Sequence, residues 1–152
     1  MMPESPTKPK NRLFMFNPNV VVKQIVQKES VSAVTNVIAR ALMAYIFIVA
    51  GWGKIAGYDA TVGYMEAMGV PGGLLPITIL VELGGGLALL FGFQTRVAAF
   101  GLAVFSLVTA FLFHSGAADA VHFMKNFAIA GGLLMLVVYG ASKLSIDHII
   151  EK

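Results

Sequence analysis

Apolar residues along this chain gather into four long blocks, separated by short polar or glycine-rich breaks. The blocks run roughly Val34–Gly53, Leu74–Gly92, Arg96–His114 and His122–Gly140. The second, LLPITILVELGGGLALLFG, reaches ~28 Å as a helix, about 19 residues at ~1.5 Å each, which is enough to cross a bilayer's hydrocarbon. Pro76 falls in its first turn, where a missing N–H is tolerated. Only Phe93-Gln94-Thr95 separates the second block from the third, so the two predict a tight antiparallel hairpin. The 54–73 connection carries turn chemistry at Gly57-Tyr58-Asp59 and Val70-Pro71-Gly72-Gly73 and reads as a loop, as does Ser115–Val121.

Upstream of the blocks, Val20, Val21, Val22, Ile25 and Val26 interleave with Lys23, Gln24, Gln27 and Lys28. That amphipathic pattern suits a helix lying on a membrane surface, or an ordinary segment leading into the first span. The opening MMPESPTKPKNR is polar and proline-rich and reads as a disordered basic tail. It lacks the apolar core of a cleavable signal, so the first span is expected to act as an uncleaved anchor.

Composition decides the class. Soluble domains carry about 25% charged residues, whereas this chain is 12% charged and 57% hydrophobic. The expected fold is all-α: an integral membrane four-helix bundle with both termini cytoplasmic. Residues 1–32 form a cytoplasmic tail with the interfacial helix, 33–142 the four-span domain, and 143–152 a second cytoplasmic tail. Orientation follows from the basic residues, which are retained on the cytoplasmic side. With the N-terminus inside, nine fall inside (Lys8, Lys10, Arg12, Lys23, Lys28, Arg40, Arg96, Lys143, Lys152) and two outside (Lys54, Lys125). The net charge of +3 flanks hydrophobic spans, which points to the lipid bilayer as partner and away from nucleic acid. The chain has no cysteine, so thiol relays and iron–sulfur ligation are outside its own chemistry.

Candidate chemistry centres on Glu82, the lone charge in the second block. A carboxylate in hydrocarbon costs several kcal/mol, by contested scales ~2.5 and upward, unless paired or protonated. By helical rise, Arg40 lies ~9 Å below its depth and Lys54 ~12 Å above it. Side chains on a helix lean toward its N-terminus. In antiparallel spans Lys54 and Glu82 therefore lean toward each other, while Arg40 leans away. His114 leans inward from the end of the third block, and His122, Lys125 and Asn126 open the fourth. Together Lys54, Glu82, His114, His122, Lys125 and Asn126 form a candidate polar, ligand-binding pocket in the outer half of the bundle. Each has a plainer reading: Glu82 as a structural pin, the histidines as interface residues, the lysines as snorkelling flanks, Arg40 and Arg96 as topology anchors. With no third histidine and no cysteine nearby, a metal site is not expected. Gly84-Gly85-Gly86 lies inside a span without a preceding strand, so it reads as a close-packing surface and not as a phosphate loop.

Several features occur in a familiar order. They are Arg40 ahead of a Gly51–Lys54 helix end, YDATVGYMEAMGVP, Glu82 followed by glycines, GFQTR, and FMKNFAIAGGLLML. Over roughly Val37–Tyr139 the chain resembles the DoxX family of small four-helix bacterial inner-membrane proteins. Some relatives are subunits of a thiosulfate:quinone oxidoreductase, and one joins a superoxide dismutase and a sulfurtransferase in a membrane complex. The resemblance implies an inner-membrane location, a quinone as the cofactor to consider, and redox-enzyme subunits as partners. Three functions follow: a quinone-linked redox subunit, a non-catalytic assembly subunit, or a small-solute or proton-coupled transport protein. The last requires a homo-oligomer, because four short helices leave little room for a channel.

Overall fold

The computed structural model describes residues 16–152, so the tail expected over residues 1–12 lies outside the described residues. Seven helices follow in order: α1 Pro18–Val26, α2 Glu29–Ala56, α3 Tyr58–Ala67, α4 Leu75–Phe91, α5 Thr95–Phe113, α6 Ala120–Tyr139 and α7 Ile146–Ile150. No strand occurs among the described residues. Helices α2, α4, α5 and α6, with α4 and α6 each preceded by a short 3-10 turn, are long and apolar enough to span a membrane.

Two elements differ from their sequence expectation. Helix α2 begins five residues earlier than the first apolar block, because nothing in ESVSA breaks a helix and Glu29 places a negative charge in its first turn. The 54–73 connection is not a loop throughout. Gly57 breaks the chain only long enough to start α3, where Thr61 Oγ1 donates to Gly57 O at 2.8 Å. Met65 of α3 then packs with Val70 and Leu75, and that burial holds the short helix in place. Gly69, with φ +76°, reverses the chain after it.

Packing follows the small residues. Helix α2 lies along α4, α5 along α6, and the α4–α5 hairpin joins the two pairs. The core combines Ala44 and Phe47 of α2, Leu89 of α4, Ala99, Leu102 and Ala103 of α5, and Ala130, Leu133 and Leu136 of α6. A methyl group added at Gly86 would lie 2.9 Å from Ile48 Cγ1, one at Gly85 2.9 Å from Leu102, and one at Gly132 2.7 Å from Met43 Cε. Glycine is what allows these helices to approach so closely. Leu42, Tyr45, Leu80, Val97 and Val138 point outward and are exposed, as residues facing lipid are.

At the end bearing the α4–α5 turn, side chains satisfy helix termini. Arg40 is 1% exposed. Its guanidinium donates to Leu89 O (3.2 Å), Leu90 O (3.3 Å), Asn36 Oδ1 (3.0 Å) and Leu144 O (2.6 Å). Arg96 donates to Val137 O and Val138 O at the end of α6. Asp147 Oδ1 and Oδ2 accept from the backbone N–H groups of Gln94 (2.6 Å) and Thr95 (2.9 Å), which open α5. Burial pushes the Asp147 carboxyl up, but these N–H donors and the charge of Arg40 outweigh it and hold it below its ordinary range. The four C-terminal carbonyls and four N-terminal N–H groups of a helix need partners. Here charged side chains supply them, and residues 143–152 are drawn against the bundle. This end is called the clasp below. Helix α1, near the same end, buries no residue; Val21, Val22, Ile25 and Val26 share one face, opposite Lys23, Gln24 and Gln27.

Candidate functional site

At the end opposite the clasp, the helices leave a cavity of about 490 Å³. Phe47 and Ala50 of α2, Val81 of α4, Phe105 and Leu112 of α5 and Ile129 of α6 give it apolar walls. Thr61, Tyr64 and Met65 of α3 roof it, and Tyr64 stacks on Phe113 with ring centroids 5.7 Å apart. The hydroxyls of Thr78 and Thr109 donate to carbonyls of their own helices, Leu74 O and Ser106 O, each at 3.1 Å. That pairing lets them line an apolar space at little cost.

Lys54, in the last turn of α2, reaches into the cavity and meets Glu82 of α4. Its Nζ donates to Glu82 Oε1 at 2.9 Å and lies 2.8 Å from Oε2. The pair is sheltered, with the Glu82 side chain 7% and the Lys54 side chain 27% exposed. Both carboxylate oxygens face the Lys54 ammonium, and no other side chain among the described residues is hydrogen-bonded to them. A carboxylate held by one cation keeps lone pairs that a further donor can use. Both members of the pair line the cavity.

The other candidates divide. His114, Lys125 and Asn126 line the cavity together with Lys54 and Glu82. His122 does not. It stands at the rim, where its ring stacks on His114 with centroids 5.2 Å apart and its Nδ1 lies 3.2 Å from Lys125 Nζ. His114 Nδ1 is buried without a hydrogen-bond partner among the described residues. Arg40, weighed at first as a partner for Glu82, is committed to the clasp, in the direction its helical lean requires. Sequence reasoning missed the α3 roof and the walls from Phe105, Ser106 and Thr109. Every third or fourth position from Phe105 to Leu112 is a usable signal for the latter, since Phe105, Thr109 and Leu112 share a helical face.

Comparison with known proteins agrees with this architecture. The DoxX family profile matches residues 35–115. The chain is 57% identical over 118 residues to "Inner membrane protein YqjF" of Escherichia coli (strain K12), covering 76% of this chain and 91% of that protein. It is 34% identical over 121 residues to "Inner membrane protein YphA" of the same organism, covering 73% and 86%. No solved structure matches the chain.

Proposed function

The chain belongs to the DoxX family, and from that premise we propose that it is a multi-pass inner-membrane subunit that holds a quinone-type head group for a membrane oxidoreductase. The observation carrying this reading is the sheltered Lys54–Glu82 pair on the wall of a largely apolar cavity. A quinone head group needs an apolar slot for its ring, a donor for each carbonyl and a group able to exchange a proton. Phe47 and Phe105 offer flat apolar surface, Lys54 and Asn126 are donors, and Glu82 is the proton-exchanging group. The volume falls in the ~300–1,000 Å³ range of small-molecule sites. When bound, a quinone would supply the electron-accepting chemistry, and partner subunits would supply the electrons. The chain's own contribution is to bind the ring, exclude water beneath α3 and hold a proton at Glu82. We assign both flanking segments to the cytoplasm, on the nine-to-two distribution of basic residues.

Transport gains less support. Beyond the cavity the bundle interior is filled by Leu89, Leu102 and Leu133, each at most 1% exposed.

Equilibrium dialysis of a radiolabelled short-tailed benzoquinone against protein in nanodiscs tests the proposal. Binding should saturate above that of empty nanodiscs. Removing the Lys54 donor with Lys54→Met should weaken it about tenfold, the worth of one charged hydrogen bond. Uptake equal to that of empty discs, or binding indifferent to Lys54→Met in folded protein, would overturn it.

A further inference from the structure

The cavity reaches the apolar outer surface of the bundle at the seam between α4 and α5. Helices α4 and α5 are pinned together at the clasp by the Gly92–Gln94 turn and again at Gly85, whose missing side chain admits Leu102. Past Gly85, Thr78 of α4 and Thr109 of α5 line the cavity. The packing between these helices is much sparser than between α2 and α4 or α5 and α6. Two residues at this seam have a double character. Ile77 and Val108 line the cavity and yet are 59% and 48% exposed on the apolar outer surface. A residue that faces both the cavity and the lipid marks an opening between them. At the polar end α3 covers part of the cavity, with Met65 4% exposed and Tyr64 stacked on Phe113, while Lys125 stands exposed beside it.

We propose that the ligand is a chain-bearing amphiphile that enters sideways from the bilayer between α4 and α5. Its polar head reaches Lys54 and Glu82 while its hydrocarbon tail passes out between Ile77 and Val108. The class is a head group with hydrogen-bonding oxygens on an isoprenoid or acyl tail. The inference rests on the proposed quinone site for the head group alone; the portal itself requires only that a hydrocarbon chain can pass. A water-soluble ligand would come instead past α3 and Lys125, at the polar end. A lipid-borne ligand needs no such path, because it is already concentrated at the depth where the seam lies.

The chain's single tryptophan and its lack of cysteine make the test direct. Trp52 is replaced by phenylalanine and a reporter is placed in the cavity as Thr109→Trp. The protein is reconstituted in nanodiscs whose lipids carry bromine on the acyl chains. Bromine quenches tryptophan only on near contact, so chains entering the cavity should quench the reporter strongly. Narrowing the seam with Ile77→Phe and Val108→Phe should reduce that quenching severalfold. The same narrowing in protein that retains Trp52, itself exposed, should leave Trp52 quenching unchanged, which also shows that the fold survives. Ile129→Trp on α6 serves as a second reporter if Thr109→Trp does not fold. A cavity reporter that bromine fails to quench, or quenching indifferent to the narrowed seam, overturns the portal. The quinone reading fails separately, if the benzoquinone does not bind, because the bromine experiment contains no quinone.

Discussion

Glu82 shows how one residue can be both a structural liability and an opportunity. Among the described residues its carboxylate is stabilised by the Lys54 side chain alone, which lies within 2.9 Å of both oxygens. Removing one partner of a sheltered ion pair leaves the other charge uncompensated, whereas removing both can be nearly neutral. Lys54→Met should therefore lower thermal stability in detergent, on the order of 3 kcal/mol. Lys54→Met with Glu82→Met should recover most of that loss, and Glu82→Gln should fold with a Tm close to wild type, because Lys54, its side chain 27% exposed, can turn its ammonium to water where Glu82 cannot. Unfolding curves of the purified variants decide it: a Lys54→Met protein as stable as wild type would mean that Glu82 is already neutral in the folded bundle. Much of this pair was legible beforehand. Helical phase puts Gly51 and Lys54 on one face and Glu82 and Gly86 on another, and the lean of antiparallel side chains selects Lys54 over Arg40. Arg40's own destination was not legible. Its partners are carbonyls, and every residue has one, so no pattern of side chains announces them.

Among elements, the glycines distinguish positions that look alike in sequence. Gly84, Gly85 and Gly86 are consecutive, yet a methyl group at Gly84 would meet nothing closer than Leu80 at 3.9 Å. At Gly86 it would meet Ile48 Cγ1 and, at 3.3 Å, the backbone nitrogen of Ile48. At Gly132 the obstacle is the tip of Met43, a flexible side chain that can move aside. Gly86→Leu should therefore cost roughly 1–3 kcal/mol, Gly132→Leu less, and Gly84→Leu little. Chemical or thermal denaturation of the three variants should return that order, and a reversed order for Gly84 and Gly86 would show that α4 is rotated from the orientation described. Helix α3 escaped the sequence reading for a related reason. Glycine and proline near both its ends signal turns, and Gly63 interrupts its short apolar period, so only the burial of Met65 reveals it. The α4–α5 hairpin was legible because its ends are marked by Gly92 in the left-handed region, φ +67°, and by the polar Gln94-Thr95 that follows.

For the whole molecule, four spans place α1 and α7 on the same side of the membrane. A phosphatase or fluorescent reporter following Lys152 should report the cytoplasm, and one inserted at Asp119 the opposite side. A periplasmic signal after Lys152 would invert the orientation derived from the basic residues and place the cavity in the inner leaflet. The clasp also sets an order of events during synthesis. Arg40 is made early, yet the carbonyl of Leu144 that it binds lies 104 residues later. At ~5–20 residues per second the guanidinium waits roughly 5–20 s for that acceptor, and the start of α5 about half as long for Asp147. Until then the bundle's arginine is a charge at the membrane face without its full set of carbonyls, a configuration in which the translocon, lipid headgroups or water must serve in their place. Maturation of this end thus waits for Leu144 and Asp147, and a ribosome stalled before Leu144 would hold a protein whose spans are made but whose clasp has not yet locked.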